Sequence, residues 1–424
     1  MIRLVSTGDW HVTAGPRLAD QRETLAKMLD TVTTGPRPDL WLLGGDLYGM
    51  TVPHQSTPAE RDVLFPAIVR MAEVAPVVVI SGNHDHALDI EGIGSLSGDY
   101  PIRVVTELSD PSAFIVPVTT RGGPADVYCL PYPSKKHLLA AFPELRGVQA
   151  SQDLANAAIS RLLMAWGARI RLARQTDPRR AHIGLMHVQV DGVETSGGEV
   201  LDGQEVAISR GDLERVGFDY VSLHHIHKRQ QAAHRGVYPG APWRNDFGET
   251  DARGYALVEV GKDVVAPTYD DPGRLPVRVD FRETDCRAFV TLRYRWDAPA
   301  EGAAPMWTVR PAAAEVALVH GAEVRMICTV PEAHTASCPW DAEVARISAM
   351  AHRVKVERKT EPTLRVRAPA VAAARTQAEQ AVEFWRTVAD PPNDAEQAEA
   401  LACLADLSRD DAAVADEIRA LGAL

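Results

Sequence analysis

Cysteine is scarce in this sequence and its residues do not cluster. Cys129, Cys286, Cys328, Cys338 and Cys403 are odd in number, scattered, and form no CxxC pair. That disfavours a disulfide framework or a zinc ribbon and points to a reducing compartment. A basic surplus is also missing, since 45 Lys and Arg stand against 57 Asp and Glu, a formal net charge of -12. The surface as a whole therefore cannot grip nucleic acid by charge alone, and a phosphate-rich ligand must be drawn in locally by cations or small basic patches. No apolar run approaches the roughly 20 residues of a spanning helix. Met1 to Val5 leads straight to Asp9 with no secretory apolar region, so a cytoplasmic protein without membrane contact is expected. There is no internal repeat. What remains is ordinary soluble composition, 46% hydrophobic and 24% charged, over 424 residues. That length is too great for one compact core and suggests two or three units.

The N-terminal half alternates buried strands with amphipathic helices. Ile2 to Ser6 reads as a strand, Leu18 to Val32 as a crossover helix stopped by Pro36 and Pro38, and Asp39 to Leu43 as a second strand. Thr57-Pro58 caps a helix running to about Ala72, and Val77 to Ile80 is a third strand whose unbroken β-branched run suits the centre of a covered parallel sheet. Strand, helix, strand, helix, strand predicts a right-handed parallel βαβ sheet. Between Ile90 and Val127 the pattern weakens into short segments. It resumes with a strand at Val127 to Leu130, a basic loop from Pro133 to His137, a long helix from Ser151 to Arg174 and a strand at His182 to His187. A Gly-rich loop, Asp191 to Gly203, precedes Phe218 to His227, with strands predicted near Gln231 to Tyr238 and Tyr255 to Val260. Beyond Arg274 alternating segments such as Phe289 to Tyr294 and Glu323 to Cys328 suggest a small α+β unit. From Ala368 the chain reads as two helices broken at Asp390-Pro391-Pro392-Asn393.

Five predicted strand ends carry residues able to bind metal: Asp9 and His11, Asp46, Asn83 and His84, His187, and His225 and His227. Taken singly, Asp9, Asp46 or His187 reads more readily as a cap, a turn residue or a satisfied polar group than as a ligand. Together, at the edge where open α/β sheets place ligands, they point to a metal site. Asp-x-His and His-x-His put alternate side chains on one side of an extended segment, so each pair can enter the same site. Mixed N and O donors suit Mn²⁺, Fe²⁺ or Zn²⁺, and a set too large for one ion suits two ions sharing a carboxylate. Asp85 either orients His84 or caps the next helix, the cap being the favoured reading. His86, His137, His182 and His224 have either a local structural role or a substrate contact.

Gly8-Asp9-Trp10-His11, Gly45-Asp46, Gly82-Asn83-His84-Asp85, His187 and His225-Ile226-His227 resemble, in this order, the five-part signature of calcineurin-like metallophosphoesterases. Asp219 to Lys228 and Tyr238 to Glu249 are similar to the SbcD nuclease family, catalytic subunits of a double-strand-break repair complex with an SbcC-type coiled-coil ATPase. The resemblance covers roughly residues 1–275. It implies an α/β metallophosphoesterase sandwich of two mixed sheets flanked by helices (1–275), a small α+β capping domain (276–367) and a helical tail (368–424). It further implies that Asp9, His11 and His227 hold one divalent ion and Asn83, His187 and His225 the other, with Asp46 bridging, Mn²⁺ being the expected metal. His84 would act on the scissile phosphate without binding metal.

The activity so implied is hydrolysis of phosphodiester bonds at the ends of double- and single-stranded DNA. The competing expectation is a phosphodiesterase or phosphatase acting on a small molecule or a protein, since one metal site serves all these substrates. The tail face Phe384, Trp385, Val388, Leu401, Leu404 and Leu407 either docks an ATPase partner or packs on the chain's own core. Helices at Thr57 to Ala72 and Ile90 to Leu96 are candidates for a homodimer contact. Two departures stand out. Family members usually have Gly where this chain has His224, and His or Asp where it has Gly49. His224, His54 and Arg244 are therefore candidate substrate contacts.

Overall fold

The computed structural model describes residues 1–49, 56–106, 114–133, 152–194, 206–300, 302–362, 369–388 and 390–407. His54, Lys135, Lys136, His137 and most of the Gly-rich loop lie outside them. The chain begins with strand β1 (Ile2–Thr7), helix α1 (Leu18–Thr34), β2 (Leu40–Leu43), α2 (Pro58–Ala72), β3 (Val77–Ile80), α3 (Ala87–Ile93) and β4 (Ile102–Val105). It continues with β5 (Ile115–Thr120), β6 (Gly123–Leu130), α4 (Gln152–Thr176), β7 (Ala181–His187), the short β8 (Gln189–Val190) and β9 (Ala207–Ile208), and α5 (Arg210–Val216). Next come β10 (Tyr220–His224), β11 (Gln230–Ala233), β12 (Gly236–Tyr238), β13 (Gly254–Val260) and β14 (Val277–Glu283).

These strands form two six-stranded mixed sheets, ordered β14-β13-β1-β2-β3-β4 and β11-β12-β10-β7-β6-β5. In the first, β1 to β4 run parallel and β13 and β14 antiparallel to their neighbours. Strand alternation decides where each side chain goes. Leu4, Leu40, Leu42, Val78 and Ile80 meet Val127, Cys129, Ile183, Leu185 and Tyr220 in the layer between the sheets. Their neighbours Val5, Trp41, Leu43, Val77 and Val79 face the opposite way, onto Leu25, Met28 and Leu29 of α1 and Leu64 and Ile68 of α2. On the far side Tyr128, Met186, Val221 and Leu223 pack with Ile159, Leu163 and Trp166 of α4. The result is a helix–sheet–sheet–helix sandwich, as the family resemblance implies. The central strands of both sheets are buried on both faces, which is why they read as unbroken hydrophobic runs.

Local signals place the helices well. Thr57 accepts from the Glu60 amide at 3.3 Å while Glu60 Oε2 accepts from the Thr57 amide at 2.7 Å, a capping box worth about 1 kcal/mol, with Pro58 in the first turn. The segment with the weak signal contains α3, β4 and β5. Strands β4 and β5 are outermost in their sheets and half solvated, so they lack the hydrophobic run that marks the central strands. The single strand predicted near Gln231 to Tyr238 is instead a hairpin, turned at Arg235 with φ of 67°.

Later elements are β15 (Phe289–Asp297), β16 (Met306–Val309), α6 (Ala313–Ala317), β17 (Glu323–Pro331), a 3-10 turn (Glu332–Ser337), α7 (Trp340–Ser348) and β18 (Arg353–Glu361). The tail holds α8 (Pro369–Ala373), α9 (Gln377–Trp385) and α10 (Asp394–Leu407), the last two separated at the expected Pro-Pro break. The chain divides into two compact units: Met1–Tyr294 with Val309–Ile327 and Pro339–Glu357, and Arg295–Thr308 with Cys328–Cys338 and Arg358–Leu424. Among the described residues no helix is long and apolar enough to cross a membrane.

Candidate metal centre

Strands β1, β2 and β3 are parallel neighbours, so their following loops leave one edge together. The first two loops go on bonding past the strands: the Asp9 amide donates to Gly45 O at 2.9 Å, His11 to Asp46 O at 2.9 Å and Val12 to Leu47 O at 3.0 Å. The loop after β10 reaches the same edge, where the His225 amide donates to Asp9 Oδ1 at 3.0 Å. The backbone there is not extended. Asp9, His11, Asp46 and His225 have φ of 52°, 46°, 49° and 97°. The expectation that the Asp-x-His and His-x-His pairs converge by strand alternation is thus corrected: left-handed turns aim them. Such residues cost about 1–3 kcal/mol each and persist only where surrounding bonds hold them.

Two clusters result. Side-chain ligand atoms of Asp9, His11 and His227 lie within 4.8 Å of one another, and so do those of Asp46, His187 and His225. His11 Nε2 and His227 Nε2 are 3.0 Å apart. Asn83 Oδ1 lies 3.0 Å from His187 Nε2 and 3.1 Å from His225 Nδ1, which brings it to the second cluster. Asp46 Oδ2 stands between the two, 3.7 Å from His11 Nε2 and 3.4 Å from His187 Nε2.

The electrostatics are those of a site built for positive charge. Burial alone would raise the Asp9 and Asp46 carboxyls, but the surrounding histidines outweigh it and hold both well below the usual carboxylate range. Burial pushes His11 down to about 4 against the pull of Asp46. Burial also opposes charge on His187, yet Asp46 and Asp9 push it up to about 9. Further bonds settle which ring nitrogens face the site. His187 Nδ1 donates to Gly44 O at 2.7 Å and His227 Nδ1 pairs with Glu249 Oε1 at 2.6 Å, leaving both Nε2 atoms inward, the arrangement common for metal-binding histidines. Asp9 Oδ2 and His11 Nδ1 are buried without a hydrogen-bond partner. Facing imidazole nitrogens, two buried carboxylates and an amide oxygen fit a pair of divalent cations.

Residues around the clusters have distinct places. The His84 amide donates to Asp46 Oδ1 at 2.9 Å, and its half-buried ring stands edge-on to His11 with centroids 5.3 Å apart, outside both clusters. Asp85 does not cap α3, whose N-cap position is His86 and which has no side-chain cap. Instead its carboxylate accepts from the amides of Asp46 (2.7 Å), Leu47 (2.9 Å), Tyr48 (3.1 Å) and Gly82 (2.9 Å), clamping the β2 loop to the β3 loop. His224 is 0% exposed, so the expectation of a substrate contact is corrected to a place behind Asp9. Arg244 is engaged internally, donating to Glu249 O and Asp251 O at 3.0 Å, which likewise makes it a strut. Gly49 has no room for the family's larger residue, because a Cβ there would overlap Thr13 Oγ1. Sequence reading missed Glu249 as the partner of His227, although it ends the Tyr238 to Glu249 stretch, and Tyr132, whose ring lies 5.7 Å from that of His225. His182 is buried, with Nδ1 3.3 Å from the Tyr128 hydroxyl.

Comparison with known proteins agrees with this geometry. Residues 2–229 match the family described as calcineurin-like phosphoesterase. The SbcD subunit of the nuclease SbcCD from Rhodobacter capsulatus is 28% identical over 263 residues, covering 57% of this chain and 62% of the relative. The chain thus spans less than two thirds of that relative's length. With more than half of its residues matched and the helix–sheet–sheet–helix sandwich in place, the chain belongs to the calcineurin-like phosphoesterase family.

Proposed function

We propose that this protein is a two-cation phosphodiesterase that cuts DNA at its ends and works with a coiled-coil ATPase partner. The observation carrying the reading is the pair of clusters, Asp9/His11/His227 and Asp46/His187/His225, at one sheet edge with Asn83 beside the second. In this reading Asp9, His11 and His227 hold one cation, Asn83, His187 and His225 the other, and Asp46 serves both. When bound, two divalent cations, Mn²⁺ by preference over Fe²⁺ or Zn²⁺, supply Lewis acidity toward phosphate oxygens and water. The chain's own residues do the rest. Asp85 holds the Asp46 loop in register, Glu249 and Gly44 O orient His227 and His187, and the His84 amide fixes Asp46 Oδ1. In this reading the His84 side chain, beside the clusters and half exposed, bonds a phosphate oxygen or protonates the leaving oxygen.

Similarity to a component of the nuclease SbcCD supports DNA as substrate and the ATPase as partner. The tail supports docking in form: among its described residues none is fully buried, and Phe384 is 52% exposed. Residues 276–367 would cap the cleft, and α2 and α3 are the candidate homodimer surface. The test is Mn²⁺-dependent digestion of linear duplex and single-stranded DNA, with and without the ATPase, beside a small aryl phosphodiester. Loss of DNA ends that stops with chelator is expected. Hydrolysis of the small ester with DNA untouched would move the reading to a small-molecule phosphodiesterase. In His84→Gln, cation stoichiometry is expected to persist while turnover falls by about 10²-fold or more; loss of cations would show that His84 is a ligand.

A further inference from the structure

We infer that His224 is a positioning residue for Asp9, oriented by a hydroxyl chain that crosses the sandwich interior; the inference rests on the two-cation reading of the centre. Ser6 of β1 and Ser222 of β10 belong to different sheets, yet their hydroxyl oxygens are 2.5 Å apart and fully buried. Ser222 Oγ is in turn 2.8 Å from His224 Nε2. The other ring nitrogen, Nδ1, lies 3.4 Å from Asp9 Oδ2, an ion-pair distance, and both atoms are buried without a hydrogen-bond partner.

Donor counting selects one direction along this chain. A proton on Nε2 would leave the Nδ1 lone pair facing a buried carboxylate, which is repulsive. With Ser6 donating to Ser222 and Ser222 donating to His224 Nε2, the proton sits on Nδ1, the ring nitrogen 3.4 Å from Asp9 Oδ2, where it meets the carboxylate as a charge contact. His224 thereby holds one oxygen of Asp9, while Oδ1 accepts from the His225 amide at 3.0 Å. The backbone is shaped around the ring. A Cβ on Gly44 would overlap it, and one on Gly8 would lie 2.6 Å from Nδ1. Neither glycine has positive φ, so space for His224 is what they provide.

The experiment is Mn²⁺ titration of the full chain and of His224→Asn, His224→Gln and Ser222→Ala, following site occupancy directly, with apo-protein melting alongside. An Asn amide can donate from near the Nδ1 position, whereas Gln reaches the Nε2 position. Gln is expected to weaken one of two Mn²⁺ sites by about 10- to 100-fold, the usual cost of losing a residue that orients a ligand, and Asn by much less. Ser222→Ala leaves the ring in place and keeps the test open should a ring change fail to fold; a several-fold weakening is expected. Equal loss in Asn and Gln, or unchanged affinity in folded variants, overturns the inference. Failure of the unaltered chain to take up two ions instead overturns the two-cation reading.

Discussion

Asp85 illustrates what one carboxylate does when it accepts from four backbone amides. An Asn at this position turns an NH₂ group toward some of those donors, leaving buried amides unpaired at about 1–3 kcal/mol each. Asp85→Asn is therefore expected to lower stability by about 2–3 kcal/mol in urea denaturation and to weaken cation binding through the displaced Asp46 loop. Gly44 gives a sharper test, because its neighbour is a buried ring with nowhere to move. Gly44→Ala is expected to cost about 1–3 kcal/mol, the range for overpacking. In a His224→Gly background the same change should cost far less, and a double-mutant cycle with no coupling would contradict the packing described. At Asp46 both clusters meet. Asp46→Asn is expected to weaken both cations together, and titration curves with only one site altered would remove it from the shared position.

Among the elements, β2 and β3 matter most, because they carry Asp46 and Asn83 and are packed on both faces. Leu42 is fully buried between the sheets, and Leu42→Ala is expected to cost about 2–5 kcal/mol, depending on how far the two sheets close over the cavity. A chemical denaturation series checks it. These strands are plain in the sequence because two-sided burial demands an unbroken apolar run. Strands β4 and β5 are not, since an outermost strand needs only one good face and tolerates Pro117. The hairpin of β11 and β12 reads as one strand because its turn rests on a left-handed Arg235, and nothing in the residue type marks that conformation.

For the whole molecule, a centre that holds buried carboxylates and histidines ready for positive charge links folding to cation supply. A cation that takes this centre binds the native arrangement and not the unfolded chain, so Mn²⁺ at about 100 times its dissociation constant is expected to add about 2.7 kcal/mol. The melting temperature should rise with Mn²⁺ and fall back with chelator. The apo protein should still fold, since three apolar clusters lie outside the centre. A melting curve indifferent to Mn²⁺, Fe²⁺ and Zn²⁺ would count against a metal centre at this edge.

The amino-acid sequence alone determined the strand–helix alternation, the apolar layers and the residue types waiting at five strand ends. Those properties are local, written in hydrophobic period and in short polar turns, and they suffice to predict a parallel βαβ sheet; the two-sheet sandwich was implied by the family resemblance of the motifs. Tertiary structure decided what each polar residue touches. His225 meets Asp9 and His11 meets His227 across 216 residues of chain, and the loops aim them through left-handed backbone that no strand periodicity foretells. Asp85 left its own helix for the amides of another loop, and His224 turned inward toward Asp9 because Gly8 and Gly44 leave room there. Such outcomes depend on contacts distant in sequence, where burial and unpaired donors select the partner and local propensity does not.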